Sequence, residues 1–337
     1  MIVARGTKLM STDAYHNHSL QEFVDFLPSI ESCDFTFAKD KLVSMDCLRL
    51  DKVHPFVSGN KWYKLKYSIL HAYQLGRSQL LSFGGAYSNH LHALAFAGQH
   101  LNIKTVGVVR GERSGKLNPT LQDCENWGME LHWLPREQYR QLASNSALGD
   151  SVSPAAKVHF QEIYPEAWII PEGGAGADGV LGIETLFNAL QHAGLLDYDF
   201  IATPVGSGTT LAGLIRAKLG RAKCLGFSAL KGAVDLEQRV ESQLNDAARI
   251  NEWSIVHDYH FGGFAKINPR LMQFISDIYN QNQLLLDPIY TGKMLYGLAE
   301  YVHQGRIASG SKVLVLHTGG LQGWRGFGEH HPQAKIS

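Results

Sequence analysis

The sequence predicts an α/β protein of two domains, each a mostly parallel twisted sheet flanked by helices. Three observations carry this. Short apolar strands alternate with amphipathic stretches for most of the 337 residues, the pattern of βα units. Several strands are apolar throughout, as strands covered on both faces are. They end in glycine and small polar residues that run straight into helical segments. A chain of this length also exceeds one small core.

The elements follow in order. A strand "LLSFGG" ending at Gly85 leads into the helical "SNHLHALAFAGQHL". Next come "TVGVVRG", a helix around "PTLQDCENWG", and the strand "ELHWLP". Further strands are "AWIIPEGG", "DFIATPVGSGTT", "AKCLGFSAL", "LLLDPIYTG" and "KVLVLHTGG", separated by amphipathic segments such as "GIETLFNALQHAG" and "LAGLIRAKLG". Residues 56–164 are expected to form a small domain. Residues 1–55 plus 165–337 are expected to form a large cofactor-binding domain. The division is placed near "SVSPAAKVHFQEIYPEA" on its Ser/Pro composition.

Composition narrows the function. Apolar residues make up 45% and charged residues 18%, with a formal net charge of zero. That excludes a nucleic-acid or anionic-membrane partner held by bulk charge. The four cysteines have no framework spacing, as expected for buried thiols in a reducing compartment. The first residues lack the apolar core of a signal peptide, and no apolar run approaches a membrane span. A cytoplasmic protein is expected.

Ligands of parallel sheets sit at the carboxyl ends of strands, so the chemistry is sought there. In "VGSGTTLAGL", a strand runs through Gly206, Ser207, Gly208, Thr209 and Thr210 into a helix. Glycines admit an anion to the backbone N–H groups, and the helix dipole adds positive charge. Such a loop is a phosphate cradle or a plain Gly-rich turn with a Thr cap. At "GGAYSNH", Ser88 can cap the next helix, while Asn89 and His90 add donors suited to a carboxylate or a ring hydroxyl. His90 and His92 lie two apart and share no helix face, so no metal pair is expected. "PEGGAGADG" is either a loop that hugs a flat ring or a long connection.

The stretch "SGNKWYKLK" holds Lys61, Lys64 and Lys66. Ser58 or Asn60 can cap a helix, with Lys61 in its first turn. The dipole there opposes a cation and depresses an amine's pKa, as a Schiff-base lysine requires. Lys64 lies one turn on, placed for a phosphate. Alone, the stretch reads better as a solvated basic helix. Together, a nucleophilic lysine, a phosphate cradle, a ring-hugging loop and carboxylate donors fit one ligand, pyridoxal 5'-phosphate.

The motifs "SGNKWYKL", "GGAYSNH", "PEGG", "GSGTTLAG", "DPIYTGK" and "HTGG" span about 55–320. In this order they resemble the 1-aminocyclopropane-1-carboxylate deaminase / D-cysteine desulfhydrase family of fold type II (tryptophan-synthase-β-like) pyridoxal-phosphate enzymes. The resemblance implies an active site in the cleft between the two domains, a homodimer and a small amino-acid substrate. It implies that Lys61 forms the Schiff base and that Lys64 and Gly206 to Thr210 bind the phosphate. Asn89 would meet the ring hydroxyl, with Ser88, Asn89 and His90 receiving the substrate carboxylate. Tyr290 would be the catalytic tyrosine, with Ser88 beside it. Thr291 would face the pyridine nitrogen, and Thr318 would join the cofactor set. Threonine at 291 and 318 resembles the desulfhydrases, where the deaminases resemble "YEGK" and "HLGG". A hydroxyl at the pyridine nitrogen makes a weaker electron sink than a carboxylate would, which suits β-elimination. A D-cysteine desulfhydrase-like lyase giving pyruvate, ammonia and sulfide is therefore expected. The alternatives are the cyclopropane deaminase, giving 2-oxobutyrate and ammonia, and a non-catalytic pyridoxal-phosphate-binding protein. Trp62, Tyr63 and Phe264 depart from the family pattern, Phe264 in place of a second tyrosine.

Overall fold

The computed structural model describes residues 27–113, 115–143, 152–244 and 251–327. The first residues, read above for a signal peptide, lie outside them.

Two sheets organise the chain. The six-stranded sheet has the order β1 (Ile30–Cys33), β2 (Ser44–Arg49), β10 (Lys312–His317), β7 (Phe200–Val205), β8 (Lys223–Ser228), β9 (Trp253–Val256). Only β1 runs antiparallel, against β2. The four-stranded sheet has the order β5 (Met129–Leu134), β4 (Lys104–Arg110), β3 (Gln79–Gly84), β6 (Ala167–Ile170) and is parallel throughout. The strand Ala167–Ile170 thus pairs with Gln79–Ser82. The expected division at 164/165 leaves β6 with the other sheet. Ser/Pro composition marks only the helix start ahead of it, where Ser153 caps Pro154–Ile163.

One expected strand is absent. Thr291 starts a helix, and residues 284–290 of "LLLDPIYTG" form a largely buried loop. Its polar backbone groups are satisfied by side chains rather than by a ladder. His317 Nε2 donates to the Leu285 carbonyl, and Trp324 Nε1 to that of Leu286. The N–H groups of Ile289, Tyr290 and Thr291 donate to the Asp287 carboxylate. Strands β1, β2 and β9 went unread in the sequence. In β2 the apolar pattern is broken by Asp46 and Arg49, which hold Tyr198 and the Glu31/Asp51 pair.

The helices that carry the site are α2 (Asn60–Gln74), α3 (Asn89–Leu101), α4 (Pro119–Asn126), α7 (Ala177–His192), α8 (Thr209–Arg216) and α11 (Thr291–His303). In chain order α1, α5, α6, α9 and α10 are Thr36–Lys39, Arg136–Ala143, Pro154–Ile163, Leu236–Ser242 and Pro269–Asn282. One apolar core runs through both sheets. It joins Leu80 and Ile170 of the smaller sheet to Leu314 and Leu316 of the larger through α2, α3, α7 and α8. A second core lies beneath α11 on the other face of the large sheet, and a third on the outer face of the small one. Helices α2 and α7 pack so closely that a Cβ at Gly182 would lie 1.7 Å from the Tyr63 carbonyl oxygen. Trp62 and Tyr63 are buried in this shared core, so packing of α2 absorbs two of the three departures from the family pattern. Among the described residues, no helix is long and apolar enough to cross a membrane.

Candidate active site

The polar strand ends read in the sequence converge between the two sheets. Helix α2 starts at Asn60 with Gly59 as its N-cap, and neither Ser58 nor Asn60 caps it. Ser58 donates to the Asp51 carbonyl, and the Asn60 N–H is taken by the Thr318 carbonyl at 3.2 Å. The cap therefore comes from the "HTGG" segment after β10. Gly59 has φ +75, and a Cβ there would sit 1.9 Å from the Thr318 oxygen, so only glycine allows this approach. Thr318 reaches the lysine helix through its backbone.

Lys61 follows directly. Its Nζ donates to Asn60 Oδ1 at 2.7 Å, and Asn60 Nδ2 donates to Thr210 Oγ1 at 2.8 Å. Asn60 thus ties the amine to the Gly206–Thr210 loop. Burial lowers the Lys61 pKa to about 8, and the nearby Asp287 carboxylate opposes that shift. Near neutral pH a usable share of this amine is unprotonated, the state a nucleophile or base needs. Lys66, read as a solvated charge, is half-buried and lies over the Tyr67 ring at 4.9 Å.

The Gly206–Thr210 loop has a form that could cradle a phosphate. Ser207, Gly208 and the first turn of α8 follow β7, with Gly208 at φ +86. No acceptor among the described residues reaches the N–H groups of Ser207 to Leu211. The Ser207 and Thr209 hydroxyls lie 3.0 Å apart. The Tyr290 ring lies against Gly206, 3.1 Å from where a Cβ would be. Lys64 is buried and has no carboxylate or other hydrogen-bond partner among the described residues. Burial and the Lys61 charge lower its pKa well below the ordinary value. Kept charged without a counter-ion, this amine would cost on the order of several kcal/mol; an anion beside it would favour the ammonium. Gly173 and Gly174 of "PEGG" complete the wall. A Cβ at Gly174 would meet Lys64 and His90, and one at Gly173 would face Ser207. These donors fit a phosphorylated pyridine aldehyde.

At the start of α3, Ser88 Oγ accepts from the Leu91 N–H at 3.2 Å, the capping role. Its own hydrogen remains free to donate. The N–H groups of Asn89 and His90 meet no acceptor among the described residues, so the turn can receive a carboxylate. The His90 imidazole does not contribute a cation. It is buried, and burial with the Lys61 and Lys64 charges lowers its pKa to about 3. Ser82 Oγ gives its hydrogen to the Ile170 carbonyl at 2.8 Å, so His90 Nε2 donates to Ser82 and Nδ1 stays an unpartnered acceptor. Only the His90 backbone is left for a substrate carboxylate.

Tyr290 precedes α11, and burial raises its pKa, with Asp287 and Glu172 adding to the rise. Its phenol stays protonated at neutral pH. Phe264 packs edge-on against it at 6.0 Å. The Thr291 hydroxyl is committed to Asp287, accepting from its N–H at 2.8 Å and donating to Oδ2 at 2.7 Å. Three residues went unassigned in the sequence. Asp287 is a buried carboxylate that organises the Tyr290 turn and bears on Lys61. An Asp-Pro turn signal was present at 287–288 but was read as part of a strand. Buried Lys293 donates to the Gly263 carbonyl at 2.7 Å and anchors the Phe264 loop. Gln322 donates to Asn89 Oδ1, a contact across more than 200 positions with no local signal.

Comparison with known proteins bears on the family and the fold. Residues 45–319 match the family described as pyridoxal-phosphate dependent enzyme. A putative 1-aminocyclopropane-1-carboxylate deaminase of Pyrococcus horikoshii is 26% identical over 320 residues, 91% of each chain. The bifunctional D-cysteine desulfhydrase/1-aminocyclopropane-1-carboxylate deaminase of Arabidopsis thaliana is 28% identical over 287 residues, 79% of this chain and 70% of that one. The crystal structure of an ACC deaminase homologue superposes with a TM-score of 0.75 at 24% identity, over 90% of this chain and 92% of the other.

Proposed function

From the premise that the chain belongs to the pyridoxal-phosphate-dependent enzyme family, we propose that it catalyses β-elimination from a small amino acid, D-cysteine being the test substrate. The enzyme is of the 1-aminocyclopropane-1-carboxylate deaminase / D-cysteine desulfhydrase type. The observation that carries the proposal is Lys61: a half-buried lysine whose amine pKa is lowered to about 8, tied through Asn60 to a loop whose N–H groups meet no acceptor among the described residues.

The residues divide the work. Lys64 and the Ser207–Thr210 donors would hold the phosphate, and Lys61 would anchor the cofactor. Asn89 faces the ring hydroxyl. When bound, the cofactor supplies an electron sink for charge at the substrate α-carbon. The first turn of α3, with the Ser88 hydroxyl and the Asn89 and His90 N–H groups, orients the substrate carboxylate. The free Lys61 amine would take the α-proton as general base. Tyr290, kept protonated by burial, gives a proton to the departing sulfur. Water then completes conversion to pyruvate and ammonia.

One feature favours elimination over ring opening: threonine follows Tyr290 where the deaminase pattern carries glutamate, although its hydroxyl is taken up by Asp287. The deaminase reading keeps the support of its relatives' names. Incubation with D-cysteine and with the cyclopropane amino acid separates them, read as sulfide, pyruvate and 2-oxobutyrate. Only 2-oxobutyrate, with no product from D-cysteine, would overturn the proposal. Lys61→Ala is expected to abolish the visible band of the purified protein, at about 410–420 nm for such a lysine adduct. A band unchanged by the substitution would remove Lys61 as the anchor.

A further inference from the structure

The turn after β10 is a 3-10 helix, Leu321–Gly326. It reaches across to the elements of the smaller sheet with two side chains three residues apart. Gln322 Oε1 accepts from Thr120 Oγ1 at 2.7 Å. Arg325 pairs with Asp123 and donates to the Pro119 carbonyl. Thr120 and Asp123 are also three apart, on one face of α4. These contacts form a two-rung clamp. Both rungs extend to α3: Gln322 Nε2 donates to Asn89 Oδ1, and Asp123 pairs with His92 Nε2 at 3.1 Å, so only the first reaches Asn89.

That bond decides what Asn89 can offer. An asparagine amide turned by 180° exchanges its donor and acceptor. With Gln322 donating into Oδ1, the turned amide would set NH2 against NH2. Asn89 is therefore held with its Nδ2 directed away from Gln322. Nδ2 lies over Gly320, 2.9 Å from where a Cβ would be. Gly320, at φ +88, leaves that space clear. Nδ2 donates to no described residue, so the donor remains for a ligand.

We propose that Gln322 is a positioning residue, which fixes the Asn89 amide as a hydrogen-bond donor toward an anionic ring oxygen of the cofactor. The proposal rests on the pyridoxal-phosphate reading of the site. It adds that donor selection at Asn89 is imposed from the opposite side of the cleft, by a residue on the turn after β10.

The test compares Gln322→Leu, Gln322→Glu, Thr120→Val and Arg325→Gln with the parent holoenzyme. Cofactor dissociation is measured by equilibrium dialysis, the visible band by absorption, and folding by thermal melting. Gln322→Leu frees the amide. Gln322→Glu keeps the shape but attracts Nδ2, turning the donor away from the cofactor. Both are expected to weaken cofactor binding about tenfold and to shift the band, on the scale of one lost buried hydrogen bond. Thr120→Val should act in the same direction by less. Arg325→Gln removes the second rung only. It is expected to lower the melting temperature while leaving cofactor affinity and band unchanged. Parent-like affinity and band in both Gln322 variants would overturn the proposal. So would an Arg325→Gln effect as large as that of Gln322→Leu, which would mean a clamp and nothing more. If Gln322→Leu fails to fold, the near-isosteric Gln322→Glu reads the same prediction. A parent protein that binds no pyridoxal phosphate would instead sink the family reading of the site.

Discussion

At Lys61, burial takes water from the ammonium and lowers its pKa from 10.5 to about 8. The folded chain then binds fewer protons here than the unfolded chain between those values. This group's contribution to stability accordingly rises with pH across that window and is least favourable below about 8. The kinetic consequence is sharper. Reconstitution of the apoenzyme with pyridoxal phosphate should quicken about tenfold per pH unit below pH 8 and then level, following the neutral amine. Stopped-flow absorption checks this, and a flat profile between about pH 6.5 and 9 would contradict the assigned pKa. Asp287 opposes the Lys61 shift, so Asp287→Asn should move that profile to lower pH. The same substitution removes a carboxylate that accepts from three backbone N–H groups and the Thr291 hydroxyl. A loss of about 2–3 kcal/mol is expected in denaturant melts. Lys61 and Ser88 were legible in sequence because their settings are local: a helix start and a cap. Asp287 was not, because an apolar run before it reads as a strand until its backbone partners are known.

Helices α2 and α7 show what one glycine permits. A Cβ at Gly182 would overlap the Tyr63 carbonyl at 1.7 Å, a rigid backbone atom. Gly182→Ala should therefore push the helices apart at a cost of about 3 kcal/mol. Because α2 carries both Lys61 and Lys64, cofactor affinity should fall with it. Chemical denaturation and cofactor titration of the same variant check the pair of effects. Near-parent stability would show that the helices can slide apart without strain. The periodicity of α7 announced a helix, but periodicity carries no information about which partner approaches its glycine. The same holds for "LLLDPIYTG", where β-like composition gave way to side-chain capping by Asp287, His317 and Trp324.

The molecule has two sheets but shares its largest core between them. Leu80 and Leu316 belong to different sheets and the same apolar cluster. Neither unit can open without exposing that surface to water. Unfolding in guanidinium is expected to show one transition, coincident by far-UV circular dichroism and tryptophan fluorescence. Two separated transitions would mean that the units keep independent cores. The site lies where the carboxyl ends of β3, β6, β7 and β10 meet, so its shape depends on that shared packing.

By itself the sequence determined the succession of strand and helix, the glycine-rich strand ends, and the lysine, serine and threonine types that stand there. These follow from steric preference and apolar periodicity, which act over a few residues. Only the tertiary structure decided that β6 joins β3, that Thr318 caps the lysine helix, that Asp287 bears on Lys61 and that Gln322 bonds Asn89. Those contacts join residues far apart in the chain. They depend on strand register and on close approach at Gly59, Gly182 and Gly320, which no local preference encodes.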